Sequence, residues 1–339
     1  MLSHCWHQIL GTIIFIMSFA VTNGRSLSNF NMFNGSYPVI MVDKARSGQF
    51  STIQSAIDSI PSENTKWVIV KVKAGIYWEK VVIPQNKPFI VLQGEGMFKT
   101  KIVCDDHDNL LQSATFRVLA NDFVAANIGF MNSYSHDAIA KNPSIQAAAA
   151  LINGDRAAFY NCSFYGLQDT LWDNQGRHYF KGCYIEGAVD FICGNAQSIY
   201  KKCQISVIDK ELGPKRIGYI TAQRRSSATD GTAFVFEECK VKGNGKAFLG
   251  RAWGPYSAVL YYKSYLSDLV VPAGWDAWSA RGHENNTMYA EHNNYGPGSD
   301  TSNRVPWMRK LDNNTLKRYT DLSFINSDRW IQSQPSITL

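Results

Sequence analysis

Several familiar catalytic signatures are missing from this sequence, and each absence removes a class of chemistry. It has no Gly-x-Ser-x-Gly, so a nucleophile elbow of the serine-esterase kind has no support. The histidines show no His-Glu-x-x-His or related metal spacing. No glycine-rich loop is placed to cradle phosphates, and no dinucleotide fingerprint is present. Helical periodicity is scarce. Long apolar runs are scarce too: the stretch from Ile9 to Val21 is uncharged and apolar but shorter than the roughly 18–20 residues a membrane anchor needs. With the small and polar Thr22, Asn23 and Gly24 behind it, that run reads as a secretory signal peptide over 1–24, leaving 25–339 as one soluble domain.

Basic residues outnumber acidic ones, 34 to 28, giving a net charge of +6 without any dominant basic tract. That balance suits ordinary solubility and also a polyanionic partner, and for a secreted chain an acidic polysaccharide fits better than nucleic acid. Cys5 leaves with the signal peptide. Six cysteines remain: Cys104, Cys162, Cys183, Cys193, Cys203 and Cys239.

Several of those cysteines mark a repeat. Asn127-Ile-Gly-Phe130, Asn161-Cys-Ser-Phe164, Gly182-Cys-Tyr-Ile185, Lys202-Cys-Gln-Ile205 and Glu238-Cys-Lys-Val241 align as short strands of period two. Cys162 and Cys183 are 21 residues apart, and Cys183 and Cys203 are 20 apart. A unit of that length cannot bury its apolar face alone, so successive units stack into a solenoid. An all-β parallel β-helix predicts an inward column of cysteines. The spacing leaves open whether these are buried thiols or disulfides, and a propeller or sandwich also uses many short strands. Thr52 to Ile60 predicts a short helix capping the open end of the solenoid, with Pro61 closing it. The stretch from Tyr319 to Leu339 reads as polar, irregular and packed along the outside.

The remaining chemistry lies in carboxylates beside amides. Gly166-Leu-Gln-Asp-Thr-Leu171 and Gly187-Ala-Val-Asp-Phe-Ile192 put Asp169 and Asp190 21 residues apart, one repeat unit, and therefore on one surface. Two close carboxylates tend to split their pKa values, giving one acid and one nucleophile. Spacing alone leaves open that each Asp merely caps a turn.

The run from Gln146 to Gly194 resembles the plant pectin methylesterase family. So do Gly75-Ile-Tyr-Trp-Glu79, Ile220-Thr-Ala-Gln223, Leu249-Gly-Arg-Ala-Trp253 and Val271-Pro-Ala-Gly-Trp275, in the family's order over 38–330. The resemblance implies a right-handed parallel β-helix and a carboxylic ester hydrolase acting on methyl-esterified homogalacturonan, without metal or cofactor. It implies Asp190 as nucleophile, Asp169 as general acid and base, and Gln146 and Gln168 as oxyanion donors. Arg251 would orient Asp190, while Ser133, Trp253 and Trp275 would join Gln146 and Arg251 in binding substrate. The structural alternatives are Arg251 as a plain ion-pair partner, Trp253 and Trp275 as core residues, and Tyr77 and Glu79 as parts of a strand and its turn.

The chain departs from the family pattern at Leu151, Cys193, Arg224 and Ala252, none of them a catalytic group. It resembles the short form without an inhibitory pro-region. The resemblance further implies pectin and a proteinaceous pectinesterase inhibitor as partners, a monomer, location in the plant cell wall, and neither nucleic acid nor membrane as a target once the signal is removed. Asn34, Asn285 and Asn313 are glycosylation acceptors by motif, and Asn161 fits the motif within a predicted strand. The rival readings are an inactive wall protein that only binds pectin, and a lyase or polygalacturonase on the same solenoid.

Overall fold

Short strands separated by tight turns wind through the computed structural model, which describes residues 31–32, 37–45, 47–107, 109–134, 146–208 and 216–337. Successive strands visit three sheets in turn. One sheet has eleven strands and the other two have eight each. Among the described residues all strand pairings are parallel except that of Asn31–Met32 with Pro38–Val42. The architecture is the expected right-handed parallel β-helix. The signal segment and the Asn34 motif lie outside the described residues. Among the described residues no helix is long and apolar enough to cross a membrane.

The repeat read from sequence is the register of one eight-stranded sheet. Phe130, Phe164, Ile185, Ile205 and Val241 are successive register partners, all buried. Just before them, Cys162, Cys183, Cys203 and Cys239 form an inward column, each with its Sγ near a backbone carbonyl. All six cysteines are free thiols. The residue ahead of each column position turns the corner in the left-handed region: Asn127, Asn161, Gly182, Lys202 and Glu238 have φ between 49° and 67°. Glycine and asparagine suit that conformation. Lys202 and Glu238 adopt it as well, each tied to the next coil by its backbone N–H, which donates to the Glu237 and Tyr262 carbonyls at 2.9 and 3.0 Å.

Aromatic side chains fill the interior beside the cysteines, whose thiols reach the backbone carbonyls of Phe159, Phe180 and Tyr200. Phe159, Phe180, Tyr200, Phe236 and Tyr261 stack face to face, with ring centroids 4.5–4.9 Å apart and planes within 10°. That spacing is the inter-strand distance of a sheet, so in-register rings stack along the helix axis. Phe180 touches rings on both sides and is fully buried. Phe180→Ala should therefore destabilise the protein by about 3–5 kcal/mol, read as a lowered denaturant midpoint. A loss below about 1 kcal/mol, the range of an ordinary surface change, would contradict this packing.

The capping helix spans Ile53–Asp58, with Thr52 as N-cap and Ile53, Ala56 and Ile57 buried. Glu79 secures it, its carboxylate accepting from the backbone N–H groups of Ile53 and Gln54 at 2.8 and 2.9 Å. Charge of that sign at a helix start is favourable, so Glu79 has a structural task. The C-terminal stretch packs on the outside as expected, but it is less irregular than its composition suggests. A helix over Asn313–Thr320, capped by Asp312, and a short one over Ser323–Asn326 press Leu316, Tyr319, Phe324 and Ile325 onto the outer face of the eleven-stranded sheet.

Candidate active site

The two Asp motifs sit one coil apart in the second eight-stranded sheet. Gln168 bridges Val189 and Leu171 pairs with Ile192, so Asp169 lies beside Asp190. On the next coil Val189 pairs with Tyr219 and Ile192 with Thr221, so Asp190 and Phe191 together face Ile220 in a bulge. Bulges re-aim side chains. Here both aspartates take the left-handed conformation, φ 57° at Asp169 and 49° at Asp190, although neither is glycine. Gly187 permits the turn before Asp190, because a Cβ there would meet the Phe191 side chain at 2.2 Å. Strained backbone of this kind is held only where surrounding structure over-determines it.

Outward-facing residues of this sheet form a ladder of Leu151, Trp172, Cys193, Ala222 and Arg251. Small Cys193 and Ala222 between two large residues leave a hollow. The resulting cleft of about 580 Å³ is lined in part by Gln146, Asp169, Asp190, Trp253 and Trp278. Its floor is an apolar patch of Trp172, Cys193 and Ala222, with Trp253 packed against it.

Arg251 reaches from two coils away and grips Asp190 with two hydrogen bonds, Nε to Oδ1 at 2.7 Å and Nη2 to Oδ2 at 2.5 Å. Its guanidinium is held between two rings, 4.2 Å from Tyr219 and 4.1 Å from Trp278. This fork-to-fork, ring-sandwiched geometry is specific to arginine.

The two carboxyls meet different environments. Burial pushes Asp169 well above the usual carboxylate range; the Asp190 charge adds to this, and Arg251 only partly opposes it. Burial also raises Asp190, but there the direct Arg251 bonds pull back. As pH rises, Asp190 therefore ionises first and Asp169 keeps its proton longer. Two carboxyls split in this way can supply a nucleophile beside an acid. Among the described residues no cluster of three or more His, Cys, Asp or Glu is arranged to hold a metal ion.

The expected site residues do not all converge. Asp169, Asp190, Gln146, Arg251 and Trp253 come together at the cleft. Gln168 adjoins Asp169 in the chain but is half-buried and outside the cleft lining. Ser133 is buried, its hydroxyl donating to the Cys104 carbonyl at 3.4 Å, and it does not line the cleft. Trp275 corrects the expectation of a substrate-binding residue. It is 1% exposed, stacks on Tyr289 inside the coil and donates its Nε1–H to Glu291, so no face is free for a ligand. The exposed ring is Trp278, three residues on and 39% exposed. Sequence reading missed Trp278 and also Trp172 and Tyr219. The only signal was a second tryptophan close behind the first.

A pectinesterase family profile matches residues 39–328. Probable pectinesterase 55 of Arabidopsis thaliana is 52% identical over 299 residues, covering 87% of this chain and 91% of that protein. Probable pectinesterase 29 of the same plant is 46% identical over 332 residues, covering 97% and 98%. Among solved structures, pectin methylesterase from carrot superposes with a TM-score of 0.82 at 28% identity, covering 91% of this chain and all of that one. The chain belongs to the pectinesterase family.

Proposed function

We propose that this chain hydrolyses the methyl esters of homogalacturonan in the plant cell wall, releasing methanol and leaving an acidic pectate chain. The observation that carries the reading is the Asp169–Asp190 pair, with Arg251 bonded to only one member. The ionised Asp190 attacks the C6 carbonyl of a methyl galacturonate, and the oxyanion that forms is met by the side-chain N–H group of Gln146; Gln168, outside the cleft lining, would add a second donor only by turning its amide inward. The methoxy oxygen takes the Asp169 proton as its bond to C6 breaks, so methanol leaves and an acyl-enzyme anhydride remains. Asp169, now ionised, takes a proton from water as that water attacks the anhydride. Asp190 is expelled as carboxylate, and one ester and one water have become one acid and one methanol. Trp253 and Trp278 offer apolar faces to sugar rings at the cleft. Residues 1–24 would direct secretion, and Asn285 and Asn313, both exposed, would be the accessible glycosylation acceptors.

The test is a balance sheet on highly methyl-esterified homogalacturonan: methanol, new reducing ends and unsaturated ends, measured together. The esterase reading expects methanol with chain length unchanged. New ends of either kind would favour a hydrolase or lyase, and binding without any product would favour the inactive binder.

The split pair also dictates the pH profile. The first step needs Asp190 ionised and Asp169 protonated, so turnover should rise as pH climbs through the Asp190 transition and fall through the higher one of Asp169. Asp169→Asn removes the alkaline transition together with most of the rate. A rate that keeps rising with pH well past neutrality would oppose Asp169 as the acid.

A further inference from the structure

Beside the aspartate pair, the cleft carries a second guanidinium that no described carboxylate answers. Arg224 follows the strand Gly218–Gln223, and its backbone N–H donates to the Gly194 carbonyl at 2.7 Å. Gln223 anchors this turn from inside, its Oε1 accepting from the backbone N–H groups of Arg225 and Ala258 at 2.9 Å each. The next coil closes directly on the turn, because a Cβ at Gly254 would stand only 2.3 Å from the Arg225 carbonyl oxygen. A fixed turn therefore presents an exposed Arg224 side chain at the cleft, its guanidinium 4.9 Å from the centre of the Trp253 ring. Among the described residues Arg224 has no ion-pair partner, whereas Arg251 is already paired with Asp190.

Counting charge along the cleft gives Arg224 a task. Asp190 and Arg251 cancel, and a protonated Asp169 is neutral, so Arg224 leaves the cleft positive before substrate enters. A methyl-esterified sugar unit is neutral and gains nothing from that charge. A unit that has already lost its methyl group carries a carboxylate, which a planar guanidinium can receive through two parallel hydrogen bonds.

We propose that Arg224 binds the ionised carboxylate of a sugar unit flanking the one under attack, so that the chain acts preferentially on stretches already partly de-esterified. The inference rests on the esterase reading and adds a substrate pattern to it. Trp253 holds one face of the guanidinium, which limits the ordering needed on binding. Exposure to solvent keeps the effect moderate: about tenfold in kcat/KM.

The experiment measures kcat/KM for methanol release on two homogalacturonans of equal length, one highly methyl-esterified and one partly de-esterified. Wild type, Arg224→Gln and Arg224→Lys are compared at low and high salt. Wild type should favour the partly de-esterified chain by about tenfold per remaining methyl group at low salt, less at high salt. Arg224→Gln should bring the two substrates close to parity, and Arg224→Lys, which keeps the charge, should retain part of the preference. A fully de-esterified oligogalacturonate should inhibit wild type about tenfold more strongly than Arg224→Gln. A ratio untouched by Arg224→Gln would overturn the proposal. So would an equal rise on both substrates, which would mean that Arg224 only shields Trp253. Absence of methanol from wild type on either substrate would overturn the esterase reading itself, and is thereby distinct from a failure of Arg224 alone.

Discussion

Asp190→Asn should lower methanol release by roughly 10⁴-fold or more, the scale on which removal of an attacking nucleophile acts. The substitution keeps the shape of the side chain but replaces a carboxylate with an amide that cannot form the acyl intermediate. It also leaves Arg251 without its anion. Arg251 retains the faces of Tyr219 and Trp278, 4.2 and 4.1 Å away, so its charge keeps favourable neighbours and the fold should survive. Thermal melts beside the kinetics separate lost chemistry from lost structure. A variant that melts like wild type yet keeps more than about a tenth of the rate, a deficit of only ~1.4 kcal/mol, would remove Asp190 from the nucleophile's role.

Arg251→Gln is the second large effect, and its signature is a shift as well as a loss. Burial already raises the Asp190 carboxyl, and the two bonds from Arg251 are what restrain it. Without them Asp190 holds its proton to higher pH, so less of the enzyme carries a nucleophile at a given pH. The acidic limb of the rate profile should move upward, and the maximal rate should fall by about 10²–10³-fold, as for removal of one strong polar contact from a reacting centre. Arg251→Lys should not restore it, since an ammonium can neither fork across both carboxylate oxygens nor lie flat between two rings. If the acidic limb stayed in place, Arg251 would be an ordinary structural ion-pair partner.

Local repetition made much of this architecture legible. Phe130, Phe164, Ile185, Ile205 and Val241 share one offset from their turns and fall in one ladder, because coils of nearly constant length bring equal offsets into register. The same constancy placed Asp169 beside Asp190. What escaped the sequence depends on contacts between distant coils. Trp275 and Trp278 are equally apolar, and which of them turns inward is fixed by the pairing of Trp275–Asp276 with Gly250–Arg251. The sandwich around Arg251 draws its rings from 219 and 278, so no window of sequence contains it. Ser133 reads as a polar residue near the site, yet its hydroxyl is taken by the Cys104 carbonyl. The helix at Asn313–Thr320 carried a local signal, the Asp312 cap, but polar composition around it masked a narrow apolar face.

The central claim is that one buried carboxyl keeps its proton while its neighbour gives one up. Carboxyl ¹³C resonances followed through a pH titration, with Asp169→Asn and Asp190→Asn to assign them, read that division directly. The account predicts that the Asp169 signal titrates at higher pH than that of Asp190 and well above surface aspartates. An Asp169 that titrates with the surface carboxylates, or below Asp190, would contradict it.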